Sequence, residues 1–307
     1  MSAHLSEEQE QAAALAREQA PALCRRDPAT GTSCDWNHGL WPTLRLLGIV
    51  TEPALHGEFL RGALAALPAV RPRILLSGAA DHALLAQVLG AFANRVPEIT
   101  ALDLCETPLM LSRWFADRAG FAIDTRASNI LDFTDERPYD AVCTHAFLSY
   151  FDRAQRVALV AKWRALLRPG GKVVTVNRLR PGSAPQWIAF STDQVWAFRE
   201  RVEAAAKARG LALPRLGRAA EVYASRQAIF PLASAEELRT LFEAGGFDVE
   251  ALTLDAVAPA ARLAVSVPTV PSFLARIGGW PATKMSSSSL ASARTSPGNK
   301  RGRRSSR

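Results

Sequence analysis

The stretch from Arg73 to Asp103 constrains this chain most, because it reads as strand, tight turn, helix and strand ending on an acid. Ile74, Leu75 and Leu76 form a short apolar run, and the small residues Ser77-Gly78-Ala79-Ala80-Asp81 follow where a strand must turn sharply into a helix. Leu84, Leu85, Val88, Leu89 and Phe92 then recur at helical spacing, and a second run from Ile99 to Leu104 carries Asp103. Together these predict one right-handed βαβ unit with parallel strands. In such a unit a ligand lies outside the carboxyl end of the first strand, and an acid roughly 20 residues on accepts hydrogen bonds from a ribose. The interval from Gly78 to Asp103 is 25 residues.

The alternation continues. Thr107-Pro108 predicts a helix start with Thr107 as N-cap, Gly120 its end, and Phe121 to Thr125 a third strand. Asp140 to Phe147 reads as a fourth strand, Asp152 caps a helix to Leu167, and Lys172 to Val176 is a β-branched fifth strand. From Leu179 to Ala233 the pattern pauses in an insertion, with an amphipathic helix around Val195 to Lys207 and a polar-aromatic stretch at Tyr223 to Phe230. Ser234-Ala235-Glu236-Glu237 is a capping box, Gly245-Gly246 a helix stop, and Arg262 to Val267 a last strand. The predicted organisation is an N-terminal helical cap over 1–70, an α/β domain over 71–280 with an insertion at about 180–233, and a disordered basic tail over 281–307.

The formal charge of +8 is no signature of nucleic-acid binding in the body, since seven of those charges fall between Pro281 and Arg307. Through that tail any such contact would be nonspecific. No apolar leader and no membrane span is expected. Cys24, Cys34, Cys105 and Cys143 lie far apart without C-x-x-C spacing, and read as reduced thiols of a cytoplasmic protein. Trp36 and Trp41 flank a histidine and an asparagine; they either line a small-molecule pocket or fasten the cap to the core.

Strand-helix alternation, the small-residue turn, Asp103-Leu104-Cys105-Glu106-Thr107-Pro108-Leu109 and Leu167-Arg168-Pro169-Gly170-Gly171-Lys172-Val173-Val174 occur in an order that resembles the class I S-adenosylmethionine-dependent methyltransferases, over Arg73 to Leu254. The resemblance implies a Rossmann-like, mostly parallel seven-stranded sheet with helices on both faces, and S-adenosylmethionine as cofactor. It assigns cofactor contacts to Ser77, Gly78, Ala79, Ala80 and Asp81 at the turn, to Asp103 at the ribose, to Leu104, Asn129 and Ile130 around the adenine, and to Thr144. Ala80 and His82 stand where further glycines are usual, and Leu76 where an acid is common; Asp81 is the candidate replacement for that acid.

Methyl transfer from a sulfonium needs alignment and exclusion of water more than covalent help. A base is needed only for a hydroxyl or protonated-amine acceptor, and His145 is the candidate, with contact to a neighbouring loop as the other reading. Tyr150, Asn177 and Arg178 are candidates for the same mouth, and His82 either shapes the cleft or takes part in chemistry. The histidines have no metal-ligand spacing, so no metal is expected. The expected partner is a small-molecule acceptor, with no membrane and no specified oligomeric state. A nicotinamide enzyme would want G-x-G-x-x-G, which this turn lacks. A noncatalytic, cofactor-binding relative is the alternative, motivated by the altered glycines.

Overall fold

Strands β1 (Arg73–Ser77), β4 (Tyr139–His145) and β5 (Leu167–Arg178) form the centre of a seven-stranded sheet, and their long apolar runs explain why. Alternate residues feed opposite faces: Leu75, Val142 and Val173 enter one core, while Ile74, Leu76, Ala141, Cys143 and Val174 enter the other. Strands buried on both faces belong to parallel sheets covered by helices. This computed structural model describes residues 3–27, 30–50, 53–92, 95–255 and 260–269. The described residues fall within one unit, which ends at Thr269. The expected basic tail lies outside the described residues.

With β2 (Glu98–Asp103), β3 (Asp124–Ala127), β6 (Ile188–Ala189), β7 (Ala228–Ile229), β8 (Asp248–Leu254) and β9 (Ala260–Ser266), the sheet order is β3-β2-β1-β4-β5-β9-β8, and β6 pairs separately with β7. All pairs from β3 to β5 are parallel; β9 runs antiparallel between β5 and β8. The chain leaves β1 toward one edge and resumes at β4 on its other side. That reversal is where an open α/β sheet leaves a crevice beyond its carboxyl ends.

Several boundaries differ from the sequence reading. The third strand begins at Asp124, not Phe121, because Gly120 closes the preceding helix in the left-handed region (φ 74°) and the Phe121 N–H still donates to Ala116 O at 2.9 Å. The N-cap of that helix, Glu106–Ala119, is Cys105 and not Thr107. Thr107 is buried, its hydroxyl 3.1 Å from Cys24 Sγ. The insertion contains a second helix, Leu216–Arg226, which takes in the start of the polar-aromatic stretch and packs on Thr192–Ala208. The capping box at Ser234 is half made: Ser234 Oγ accepts the Glu237 N–H at 3.1 Å, but the Glu237 carboxylate accepts from Ala233 N–H and pairs with buried Arg156. By contrast Asp152 and Gln155 form both halves of theirs.

Apolar packing is part of what fastens the helical cap. Ala12 and Ala16 of the helix Ala3–Leu23 pack on Leu111. Leu40, Leu44 and Leu47 share a core with Phe198, Val202, Leu216, Ala220 and Tyr223 of the insertion. Cap and insertion are therefore one layer joined by burial, and both border the crevice. Among the described residues no helix is long and apolar enough to cross a membrane.

Candidate functional site

At the carboxyl ends of β1, β2 and β4 lies a cavity of about 960 Å³. That is at the upper end of the roughly 300–1,000 Å³ typical of small-molecule sites. Its floor includes Gly78, Ala80, Asp103, Leu104 and His145; its walls include Trp36, Trp41, Phe147 and Tyr150. The indoles of Trp36 and Trp41 line the cavity, and Trp36 also packs edge-on against Tyr223 of the insertion, ring centroids 5.9 Å apart.

The turn after β1 sets the cavity's shape. Gly78 has φ 79°, and a β-carbon there would run into the Phe147 ring. Ala80, two residues on, also occupies the left-handed region at φ 52°. An L-residue there pays roughly 1–2 kcal/mol. The backbone at Ala80 thus follows the left-handed path that glycine would permit. Ala80→Gly is expected to stabilise the fold by about 1 kcal/mol, seen as a higher urea midpoint at unchanged m; an unchanged or lower midpoint would show that Ala80 bears no strain.

Asp103 ends β2 with both oxygens engaged from the protein side: Oδ2 accepts the Ala79 N–H at 3.1 Å and Oδ1 the Cys105 N–H at 2.9 Å. Burial raises its carboxyl above the ordinary range, against the opposing pull of His38 and the backbone N–H groups. A carboxylate short of solvent, with lone pairs to spare, gains most from hydroxyl donors brought by a ligand.

The remaining expected contacts are arranged differently. Ser77 is buried, its hydroxyl accepting from Trp163 Nε1 at 3.1 Å, and Ala79 is buried as well. Asp81 does not border the cavity: it is 3% exposed, its Oδ2 2.9 Å from Arg45 Nε and its Oδ1 accepting from the Ala83 N–H. His82 is also buried, against Phe115 and 3.1 Å from Glu8, so it shapes the packing beneath the cap. Asn129 is exposed and its Oδ1 accepts from the Leu131 N–H; Ile130 belongs to the core. Thr144 is fully buried, its hydroxyl without a partner. Asn177 is buried, donating to Thr175 Oγ1, and Arg178 is exposed. Phe147, Arg25 and Gln227 line the cavity without any sequence signal that marks them.

His145 faces the cavity next to His56, ring centroids 5.5 Å apart. Burial pushes its imidazole down to about 4, with His56 and Arg45 adding to the effect and Asp81 opposing it. It is neutral at pH 7 and able to accept a proton. Folded His145 stays unprotonated where an unfolded histidine, titrating near 6.5, binds a proton. Stability therefore falls as pH drops from about 6.5 to 4. His145→Gln is expected to flatten that slope, measured as urea midpoints at pH 7 and 5; an identical slope would remove the effect.

The cysteines are distant only in sequence. Cys24, Cys34, His38 and Cys105 converge at the cavity rim with their Sγ and ring nitrogen atoms all within 4.8 Å of one another. Burial opposes charge on His38, but contacts with Cys105 and Cys34 and the nearby Asp103 outweigh it and push it up to about 10. The Cys24 and Cys34 thiols, with His38, hold Cys105 far below the usual thiol range, and Cys24 is raised in turn. The i, i+4 spacing of Cys34 and His38 is the one local sign of this cluster in the sequence.

Residues 85–171 match the family model described as a methyltransferase domain. No curated protein matches the chain. Among solved structures, the chain is similar to the N-methyltransferase NodS of Bradyrhizobium japonicum WM9, determined with S-adenosyl-L-homocysteine, at 15% identity over 71% of this chain and 87% of that one, TM-score 0.46. It is similar to an O-methyltransferase family protein of Burkholderia thailandensis at 16% identity, over 76% and 59% of the two chains, TM-score 0.48. A possible exported protein of Bordetella parapertussis aligns at 15% identity over 87% and 99%, TM-score 0.49.

Proposed function

We propose that this chain, whose residues 85–171 match a methyltransferase-domain model, is a class I S-adenosylmethionine-dependent methyltransferase that transfers a methyl group to a small-molecule acceptor held in the cavity beside its cofactor. The observation that carries this reading is the pairing of the Asp103 carboxylate with the left-handed Gly78–Ala80 turn at one cavity floor. The donor set suits the cofactor. Asp103 would take the ribose hydroxyls, Leu104 would lie against the adenine, and the left-handed Gly78–Ala80 turn would let backbone come close to the cofactor.

When bound, S-adenosylmethionine supplies an electrophilic methyl group on a good leaving group. The protein's part is then positional. Phe147, Tyr150, Trp36 and Trp41 would wall the acceptor from water; the shared core of cap and insertion holds the two tryptophans, and the sheet core holds Phe147. His145 would accept a proton from a hydroxyl or ammonium acceptor at its neutral imidazole. Since that imidazole titrates near 4, it leaves no inflection near 6.5 in the pH profile of kcat/KM. The body's near-balanced charge and walled cavity support a small acceptor over a nucleic acid. We read the protein as cytoplasmic, supported by its four cysteines free of disulfides.

The test is incubation of the full chain with methyl-labelled S-adenosylmethionine and size-fractionated metabolite extract. The expected result is label in a low-mass product together with release of S-adenosylhomocysteine. Cofactor binding with no release in any fraction would leave a binding protein instead, and label confined to nucleic acid or protein would overturn the small-molecule acceptor.

A further inference from the structure

We infer that Cys24, Cys34, His38 and Cys105 form a closed, tetrahedral zinc site that clips the N-terminal cap to the loop following β2. The four groups come from separate places in the chain. Cys24 follows the helix Ala3–Leu23, Cys34 precedes the helix Asp35–His38, His38 ends that helix, and Cys105 is the N-cap of Glu106–Ala119. Their ligand atoms nonetheless meet at one point. Cys24 Sγ lies 3.5 Å from His38 Nδ1, and Cys34 Sγ lies 3.6 Å from Cys105 Sγ.

Those two separations match tetrahedral zinc, and every pair of ligand atoms lies within 4.8 Å. Zn–S bonds of about 2.3 Å and a Zn–N bond of about 2.0–2.1 Å set sulfur pairs about 3.8 Å apart and sulfur–nitrogen pairs about 3.6 Å apart. A disulfide would instead need sulfurs about 2.05 Å apart. Three thiolates and an imidazole form a donor set that selects zinc over magnesium or calcium. Four protein ligands leave no open position, so the role is structural and not that of a Lewis acid.

The chain is arranged to hold these donors. A hairpin closed by Asp27 N–H to Thr32 O, by the bridge between Arg26 and Ser33, and by Cys34 N–H to Arg25 O returns the backbone so that Cys34 faces Cys24. One helical turn then carries His38 to the side of Cys34. Around the ligands, Thr107 Oγ1 sits 3.1 Å from Cys24 Sγ, where its hydroxyl can donate to a thiolate. Cys105 stands at a helix N-terminus, which favours its thiolate. In the loaded site all three sulfurs are thiolates and His38 binds as a neutral imidazole, so protons go to solvent on binding and the site carries one net negative charge.

The location gives the clip its consequence. The N–H of Cys105 donates to Asp103 Oδ1, so the metal would hold the backbone that presents the cavity carboxylate. This metal site stands on its own residues, whatever the cavity binds.

The full chain, purified reduced and without chelator, is expected to contain about one zinc per molecule by elemental mass spectrometry. Cys34→Ser and Cys105→Ser should lose it, while Cys143→Ala, in β4 and outside the cluster, should retain it. Cobalt added to metal-stripped wild type should give the intense visible and near-ultraviolet bands of tetrahedral thiolate coordination, a readout that does not depend on the variants folding. Chelation should lower the melting temperature. The proposal fails if reduced wild type takes up neither metal, if zinc content is the same in Cys34→Ser and Cys105→Ser, or if a Cys34–Cys105 disulfide forms that zinc does not replace after reduction.

Discussion

Arg45→Met is expected to cost about 3–5 kcal/mol of folding stability, the usual penalty for stranding one partner of a buried ion pair. Arg45 and Asp81 are each 3% exposed at the side chain, 2.9 Å apart, and Arg45 also approaches His82 Nδ1 at 3.5 Å. Removing the guanidinium leaves Asp81, among the described residues, with the Ala83 N–H as its hydrogen-bond donor. The double variant Arg45→Met/Asp81→Leu should recover much of the loss, because replacing both charges by apolar groups removes the stranded carboxylate. Urea unfolding at pH 7 measures both. A loss under about 1 kcal/mol in the single variant would show that water reaches Asp81 in its place.

At the cavity floor, Asp103→Asn is expected to weaken S-adenosylhomocysteine binding by about 100-fold or more. Hydrogen bonds to a charged acceptor are worth roughly 1.5–3 kcal/mol each, and two ribose hydroxyls together amount to about 3 kcal/mol, or about 100-fold in Kd. The amide keeps one acceptor oxygen, which Ala79 N–H or Cys105 N–H then competes for. Calorimetric titration of the variant beside wild type, with melting temperatures to control for folding, decides it. A Kd within threefold of wild type would detach Asp103 from the ribose.

These two carboxylates mark how far the chain could be read directly. Asp103 follows an apolar run and ends a strand, a local pattern, and it borders the cavity. Asp81 lies in an equally local turn, yet its partner Arg45 is 36 residues upstream in the cap, and no spacing in the sequence links them. The same difference separates the elements. Asp152 with Gln155 states its own helix start within four residues. Helix Leu216–Arg226 owes its burial to Trp36 and to the helix Thr192–Ala208, contacts that composition around Tyr223 does not reveal.

What the sequence by itself determined is the alternation of strands and helices, the parallel core and the acid at the end of β2, because hydrophobic period, caps and turns act over a few residues. Tertiary structure alone decided that Ala80 keeps a glycine's backbone, that Asp81 is committed to the cap, and that four groups between Cys24 and Cys105 share one point. Those outcomes depend on side chains meeting across long loops, where the energy lies in burial and pairing and leaves no period along the chain.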